Sequence, residues 1–190
     1  SHDMRTPMNG IIGMTRLTQE LPELPEEAVQ NLNAIADSSN FLLSLINDTL
    51  DMSRIERSTI VLVPEIIDVD QLVRNIYAIV KRNLEEKKIR FTYDMVNTTS
   101  RFIRADRVRV QQILLNILSN AIKFTPEGGT IHGEIECLST DGHIAHDKLT
   151  ITDNGIGMSK EFLSRIFEPF SQENSRLTNR QVGTGLGMSI

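Results

Sequence analysis

The chain has 190 residues, 39% hydrophobic and 24% charged, which is the composition of a soluble globular protein of one or two domains. Its net charge of -5 argues against a nucleic-acid binder, which gathers Lys and Arg on one face. A single cysteine, Cys137, excludes an internal disulfide framework and a thiolate zinc cluster and fits a reducing compartment. No apolar run approaches the roughly 20 residues that span a bilayer, and there is no signal peptide. The first residue is not Met, as expected of a piece of a longer protein. There is no Trp, so a base-binding pocket has to use aliphatic walls and polar contacts.

From Arg5 to about Ile55 the pattern is helical. Met4, Met8, Ile11 and Ile12 recur at helical spacing, and Leu17 extends the segment. The stretch from Glu20 to Pro25 carries two prolines and breaks it. Glu26 and Glu27 then suit a first turn, and a longer helix follows with the seam Leu32, Ile35, Ser39, Leu42, Ile46, Leu50 and Ser53. Two helices in a hairpin bury too little apolar surface alone. Pairing two hairpins as a four-helix bundle solves this, so a homodimer is expected.

After Ser58 strands and helices alternate. Ile60–Val63 reads as a strand, and Leu72, Ile76, Ile79, Val80 and Leu84 mark one face of a helix. Lys88–Met95 alternates as a half-buried strand. Val108–Phe124 is a strong helix, ended by the turn Pro126-Glu-Gly-Gly129. Thr130–Leu138 and Lys148–Asp153 read as strands around a polar loop carrying His132, His143 and His146, a solvated loop rather than a metal site. The expected class is α+β: a helical hairpin, then a mixed sheet with helices on it.

Three stretches carry chemistry. In the helix Val108–Phe124, Val110, Ile113, Leu114, Ile117, Leu118 and Ala121 cover one arc, while Gln112, Asn116, Asn120 and Lys123 cluster opposite. Amide oxygens suit magnesium and a lysine suits a phosphate, although such a face is also common as plain solvated surface. Next, "DNGIGM" (Asp153–Met158) ends a strand with Gly155 and Gly157 permitting a tight turn. A carboxylate there accepts from an exocyclic amine and so selects adenine over guanine; a simple Asn-Gly turn is the alternative. Third, "GTGLGM" (Gly183–Met188) offers backbone amides to an anion, without a dinucleotide or Walker pattern. The polar segment Glu168–Val182 between them has the composition of a lid. The opening "SHDM" by itself looks like the remnant of a cleaved tag, but the continuation "RTPMNG" does not.

In order, the Asn-rich helix, DNGIGM, IFEPF (Ile166–Phe170) and GTGLGM resemble the N, G1, F and G2 boxes of sensor histidine kinases, and "SHDMRTPMNG" resembles their H-box. The resemblance covers essentially the whole chain. It implies a dimerising phosphotransfer hairpin over residues 1–57 and an ATP-binding α/β sandwich of the Bergerat type over 58–190. His2 is then the phosphoacceptor, Asp3 accepts its proton or holds its tautomer, and Thr6, one turn on, orients the water that removes the phosphoryl group. Pro7 kinks the helix. Asp153 is implied as the adenine ligand, shaped by Gly155 and Gly157. Asn120 is implied as the magnesium ligand, with Asn116 and Lys123 on the phosphates. Gly183, Thr184, Gly185, Leu186 and Gly187 are implied to carry the lid's phosphate contacts.

The resemblance thus implies ATP and Mg2+ as cofactors and an aspartate of a response-regulator receiver domain as the next acceptor. The wording "HDMRTPMNGIIGM" resembles hybrid kinases, whose receiver lies in the same parent protein. A cytoplasmic core is implied, in a parent that a membrane segment outside this chain can anchor. A gyrase-like ATPase is disfavoured, because that class resembles one another in carrying a glutamate where Asn116 stands, and an amide is no general base. A nucleotide-binding dimerisation module without phosphotransfer is the other alternative. The family continues beyond "GMSI" with further helix and two closing strands, so an open sheet edge is expected in this chain.

Overall fold

The computed structural model describes residues 2–57, 59–97, 101–141, 144–173 and 184–189. The chain divides into two compact units. One holds the chain up to Ile60 with Glu168–Ser171 and the described end of the chain, and the other holds Val61–Phe167 with Gln172 and Glu173.

The first unit is built on α1 (His2–Gln19) and α2 (Glu26–Glu56). Pro25 starts α2 with its carbonyl accepting from the Val29 amide at 3.1 Å, and Glu26 and Glu27 complement the helix N-terminus. The hairpin's register is set by two polar clasps: Arg5 Nε donates to Asn47 Oδ1 at 2.7 Å and Gln19 Nε2 to Asn33 Oδ1 at 2.8 Å. Met8 and Thr15 on α1 and Ser39 on α2 are buried, so the serine in the expected seam is a close-packing position. Met14, Leu17, Ile35 and Leu42 stay exposed, at 71%, 62%, 45% and 45%. At the chain end, Leu186 is fully buried and Gly185 has φ 71°, with the Phe170 backbone 2.8 Å from where a Cβ would stand.

The second unit holds β1 (Glu65–Asp68), α3 (Val69–Glu86), β2 (Arg90–Val96), β3 (Phe102–Ala105), α4 (Arg107–Phe124), β4 (Thr130–Asp141), β5 (Ile144–Asp153) and the single turn α5 (Lys160–Leu163). β1 and β3 form an antiparallel pair. A second sheet has the order β2-β4-β5, parallel between β2 and β4 and antiparallel between β4 and β5. Among the described residues β5 pairs only with β4.

α3 presents Val69, Leu72, Ile76, Val80 and Leu84 as one buried stripe at steps of three and four. Leu72, Ile76, Val80 and Leu84 join one core cluster with Leu118, Ala121 and Ile122 of α4, Ile131 of β4 and Ile89 just before β2. Each such buried aliphatic side chain contributes about 1.5–3 kcal/mol. Aspartates start both helices: Asp68 accepts from the Gln71 amide at 3.2 Å and Asp106 from the Arg109 amide at 3.1 Å.

Three expectations are corrected. The strand expected at Ile60–Val63 lies instead at Glu65–Asp68, because Val61, Leu62 and Val63 are exposed and the Val63 amide donates to the Asp106 carboxylate, not to a ladder. The buried arc of α4 is rotated: Ile113 is 53% exposed and Ile122 takes a core place, since α3 packs on the side carrying Leu118 and Ala121. Finally, β4 and β5 run longer than expected, so His146 sits in β5; His132 sits in β4 and not in the loop, with its Nδ1 2.9 Å from Thr92 Oγ1 across the β2–β4 pair. His143 lies outside the described residues. Among the described residues no metal-ligating cluster forms, and no helix is long and apolar enough to cross a membrane.

Candidate functional site

The second unit brings two of the sequence motifs into direct contact. α4 delivers Asn116, Asn120 and Lys123 on successive turns, all half-buried. β5 ends at Asp153, and the glycine turn that follows is hydrogen-bonded to the end of α4, with the Ile156 amide donating to the Phe124 carbonyl at 3.2 Å. Asp153 shapes that turn itself, because its Oδ1 accepts from the Gly155 amide at 2.8 Å. Oδ2 takes no part in this bond, and the residue is exposed.

Gly155 is required by space. A Cβ there would stand 2.6 Å from Asp153 Oδ1 and 2.7 Å from the Phe124 carbonyl oxygen. Gly157 is required by conformation, with φ 68°. The next residue back, Asn154, braces the turn from the other side by accepting from the Thr130 amide at 2.8 Å. The carboxylate, the turn and the Asn-rich helix are therefore one construction.

Burial pushes the Lys123 ammonium below its usual range, and its nitrogen lies 5.0 Å over the Phe124 ring. A half-desolvated cation at the end of an amide-lined helix face is a fitting place for an anion. Asn120 offers a neutral hard oxygen, and no carboxylate cage stands among the described residues. Such a donor set fits a magnesium ion that takes most of its ligands from phosphates and water, as this ion does.

The remaining site residues belong to the first unit. His2 and Asp3 open the first turn of α1, with side chains outside those described. Thr6 is exposed one turn further, and Pro7 stands inside the helix, where it has no amide to donate to the carbonyl four residues back. Gly183 lies outside the described residues. Thr184 Oγ1 accepts from the Leu186 amide at 3.2 Å and donates to Asp48 Oδ2 at 3.1 Å, and Gly187 follows in the turn.

Two residues that matter here carry no sequence signal. Asp48 looks like a solvated position of α2, yet burial holds its carboxyl above the ordinary range against the opposing bond from Thr184. Lys87 sits in a run of charged residues and nevertheless contacts three carbonyls at the end of α4. Both partners are remote in the chain, so no local spacing reveals them.

The family described as "His Kinase A (phospho-acceptor) domain" matches residues 1–58, and "Histidine kinase-, DNA gyrase B-, and HSP90-like ATPase" matches residues 105–190. The chain is similar to the autoinducer 2 sensor kinase/phosphatase LuxQ of Vibrio cholerae, 35% identical over 100% of this chain and 22% of that protein. It is also similar to the signal transduction histidine-protein kinase BarA of Escherichia coli (34%, covering 100% of this chain and 20% of that protein). Hybrid signal transduction histidine kinase A of Dictyostelium discoideum is 37% identical over 100% of this chain and 9% of that protein. The chain thus spans about a fifth or less of these relatives. Among solved structures, full-length ShkA in complex with AMPPNP matches with a TM-score of 0.74 and 34% identity, covering 99% of this chain and 37% of that one. Histidine kinase ThkA in complex with response regulator protein TrrA matches at 0.62 and 25%, over 90% and 48%. The chain belongs to the sensor histidine kinases, joining their phospho-acceptor region to their ATPase region.

Proposed function

We propose that this chain is the catalytic core of a hybrid-type sensor kinase that moves the γ-phosphoryl group of ATP to His2 and then to an aspartate of a receiver domain. The observation that carries the reading is the bond between the Ile156 amide and the Phe124 carbonyl, which joins the Asp153 turn to the helix of Asn116, Asn120 and Lys123. One end of that construction suits adenine and the other suits phosphates. ShkA was solved with AMPPNP and ThkA with a response regulator, which supports both the nucleotide and the acceptor for this chain.

In the first step an unprotonated ring nitrogen of His2 attacks the γ-phosphorus. The bond from phosphorus to the β,γ-bridging oxygen breaks, ADP leaves, and Asp3 takes or holds the proton on the other ring nitrogen. Asp153 Oδ2 accepts from the exocyclic amine of adenine. Lys123 and Asn116 face the phosphates, and the phosphate charge favours the ammonium that burial disfavours. Asn120 would hold magnesium, which supplies charge neutralisation when bound. Gly183, Thr184, Gly185, Leu186 and Gly187 carry the lid's phosphate contacts, the Leu186 amide itself being held by the Thr184 hydroxyl, and Thr6 orients the water that removes the phosphoryl group by hydrolysis. Because Asn116 is no general base, transfer to histidine is favoured over hydrolysis. The phosphohistidine is then attacked by a receiver aspartate carboxylate, which breaks the phosphorus–nitrogen bond and regenerates His2.

We assign residues 1–57 to the phosphotransfer hairpin and 58–190 to the ATP-binding domain, in a cytoplasmic homodimer. The exposed Met14, Leu17, Ile35 and Leu42 support the dimer, because a second hairpin would cover them. The test is intact mass after incubation with magnesium and ATP. One acid-labile phosphoryl adduct, absent in His2→Gln, is expected. Nucleotide binding with no adduct would leave a nucleotide-binding dimerisation module instead.

A further inference from the structure

We infer that Lys87 is a positioning residue for the nucleotide site, acting through the carbonyls that end α4. The inference rests on the nucleotide reading above. Lys87 is the C-terminal cap of α3, far from the site motifs in sequence. Its half-buried ammonium donates to the carbonyls of Ile122 at 2.7 Å, Lys123 at 2.9 Å and Thr125 at 2.7 Å. An ammonium has three donors, and all three are used.

The accounting of carbonyls shows what this does. The last carbonyls of a helix have no intrahelical partner. At the end of α4 the Ala121 carbonyl takes the Thr125 amide. Lys87 takes those of Ile122, Lys123 and Thr125. The carbonyl it leaves out is that of Phe124, and that one accepts from Ile156 in the Asp153 turn. Held on both sides, the Phe124 carbonyl can point only toward the glycine turn.

The surrounding bonds extend the same clamp. The Lys87 carbonyl accepts from the Gly128 amide at 2.9 Å, and Lys88 Nζ reaches Glu127 Oε1 at 2.6 Å, so both central residues of the Pro126–Gly129 turn are tied to the end of α3. A cation at a helix C-terminus also complements the helix dipole. The same turn of α4 carries Asn120 and Lys123. Lys87 therefore sets the distance between the phosphate-facing side chains and the adenine-facing carboxylate without touching the nucleotide. Arginine cannot replace it fully, since a planar guanidinium fork does not converge one nitrogen on three carbonyls.

The test is titration with AMPPNP and amide hydrogen exchange of wild type, Lys87→Met and Lys87→Arg, with circular dichroism as the fold control. Lys87→Met is expected to bind about tenfold more weakly and Lys87→Arg about threefold more weakly. The Ile156 amide should exchange faster in Lys87→Met while the β4 amides keep their protection. Unchanged affinity and unchanged Ile156 exchange in folded Lys87→Met would overturn the inference. If Lys87→Met does not fold, wild-type affinity in Lys87→Arg would overturn it. A wild type that binds no AMPPNP would refute the nucleotide reading instead, and Ile156 exchange would still decide whether the clamp exists.

Discussion

The Thr184 hydroxyl donates to the Asp48 carboxylate at 3.1 Å, tying the glycine-rich end of the chain to α2 within the first unit. Burial raises the Asp48 carboxyl above its ordinary 3.8, Thr184 lowers it, and Asp51 adds repulsion. The folded form therefore binds a proton that the unfolded chain has lost, so this residue's contribution is present in acid and is lost as pH rises through the folded value. Asp48→Asn keeps the acceptor and removes the charge. It should stabilise the fold slightly at neutral pH, by less than about 0.5 kcal/mol because solvent screens a half-exposed group, and so raise the thermal midpoint a little. A lower midpoint in Asp48→Asn would show that the charge stabilises the contact.

The second unit should respond to acid in the opposite direction. Asp68 is held below its ordinary 3.8 first by the Arg101 guanidinium, and Asp106 first by the Val63 amide and then by that of Arg109. Their lowered values give stability that is present above the unfolded value and lost as pH falls through the folded one. Denaturant melts should therefore be flat above about pH 5 and weaken steadily below about pH 4. A double variant, Asp68→Asn with Asp106→Asn, should keep the helix caps and flatten that slope; an unchanged slope would assign the acid sensitivity to other carboxylates.

Asp153→Asn tests the adenine contact with little disturbance, because an amide oxygen can still accept from Gly155. Losing a charge-assisted bond should weaken AMPPNP binding about tenfold to a hundredfold. Isothermal titration against wild type reads this directly, and equal affinities would remove Asp153 from the site.

Gly155→Ala should damage the site sterically, since its Cβ would press on both Asp153 Oδ1 and the Phe124 carbonyl. A cost of about 1–3 kcal/mol is expected, with reduced nucleotide affinity. Gly133→Ala is the control, because the nearest side-chain atom to its Cβ would be 3.6 Å away in ordinary contact. Equal stability of the two variants, by urea denaturation, would contradict this packing.

Ile35 and Leu42 lie two turns apart on α2 and are both 45% exposed. Replacing both by Glu should dissociate the proposed dimer at least about a hundredfold more readily, given the apolar area each would bury, while circular dichroism stays helical. Light scattering of the double variant checks this, and a dimer that persists would move the interface elsewhere.

Periodicity by itself determined the hairpin, the helices α3 and α4, and the strands β2, β4 and β5, because each buries one face at a fixed repeat. Leu72, Ile76 and Leu84 announce α3 in the sequence, and the turn prolines announce the break before α2. Glycine spacing likewise marked the turn after Asp153. Tertiary structure decided what no repeat encodes. Val61–Val63 is as apolar as a strand but finds no ladder, while the less obvious Glu65–Asp68 pairs with Phe102–Ala105, with α3 and β2 between them in the chain. Which side of α4 is buried followed from where α3 packs, and so exposed Ile113 and buried Ile122 exchanged their expected places. The partners of Asp48 and Lys87 come from distant parts of the chain. A charged side chain reads as solvated surface until folding brings a carbonyl or a hydroxyl within 3 Å, and that distance is a property of the fold, not of the neighbouring residues.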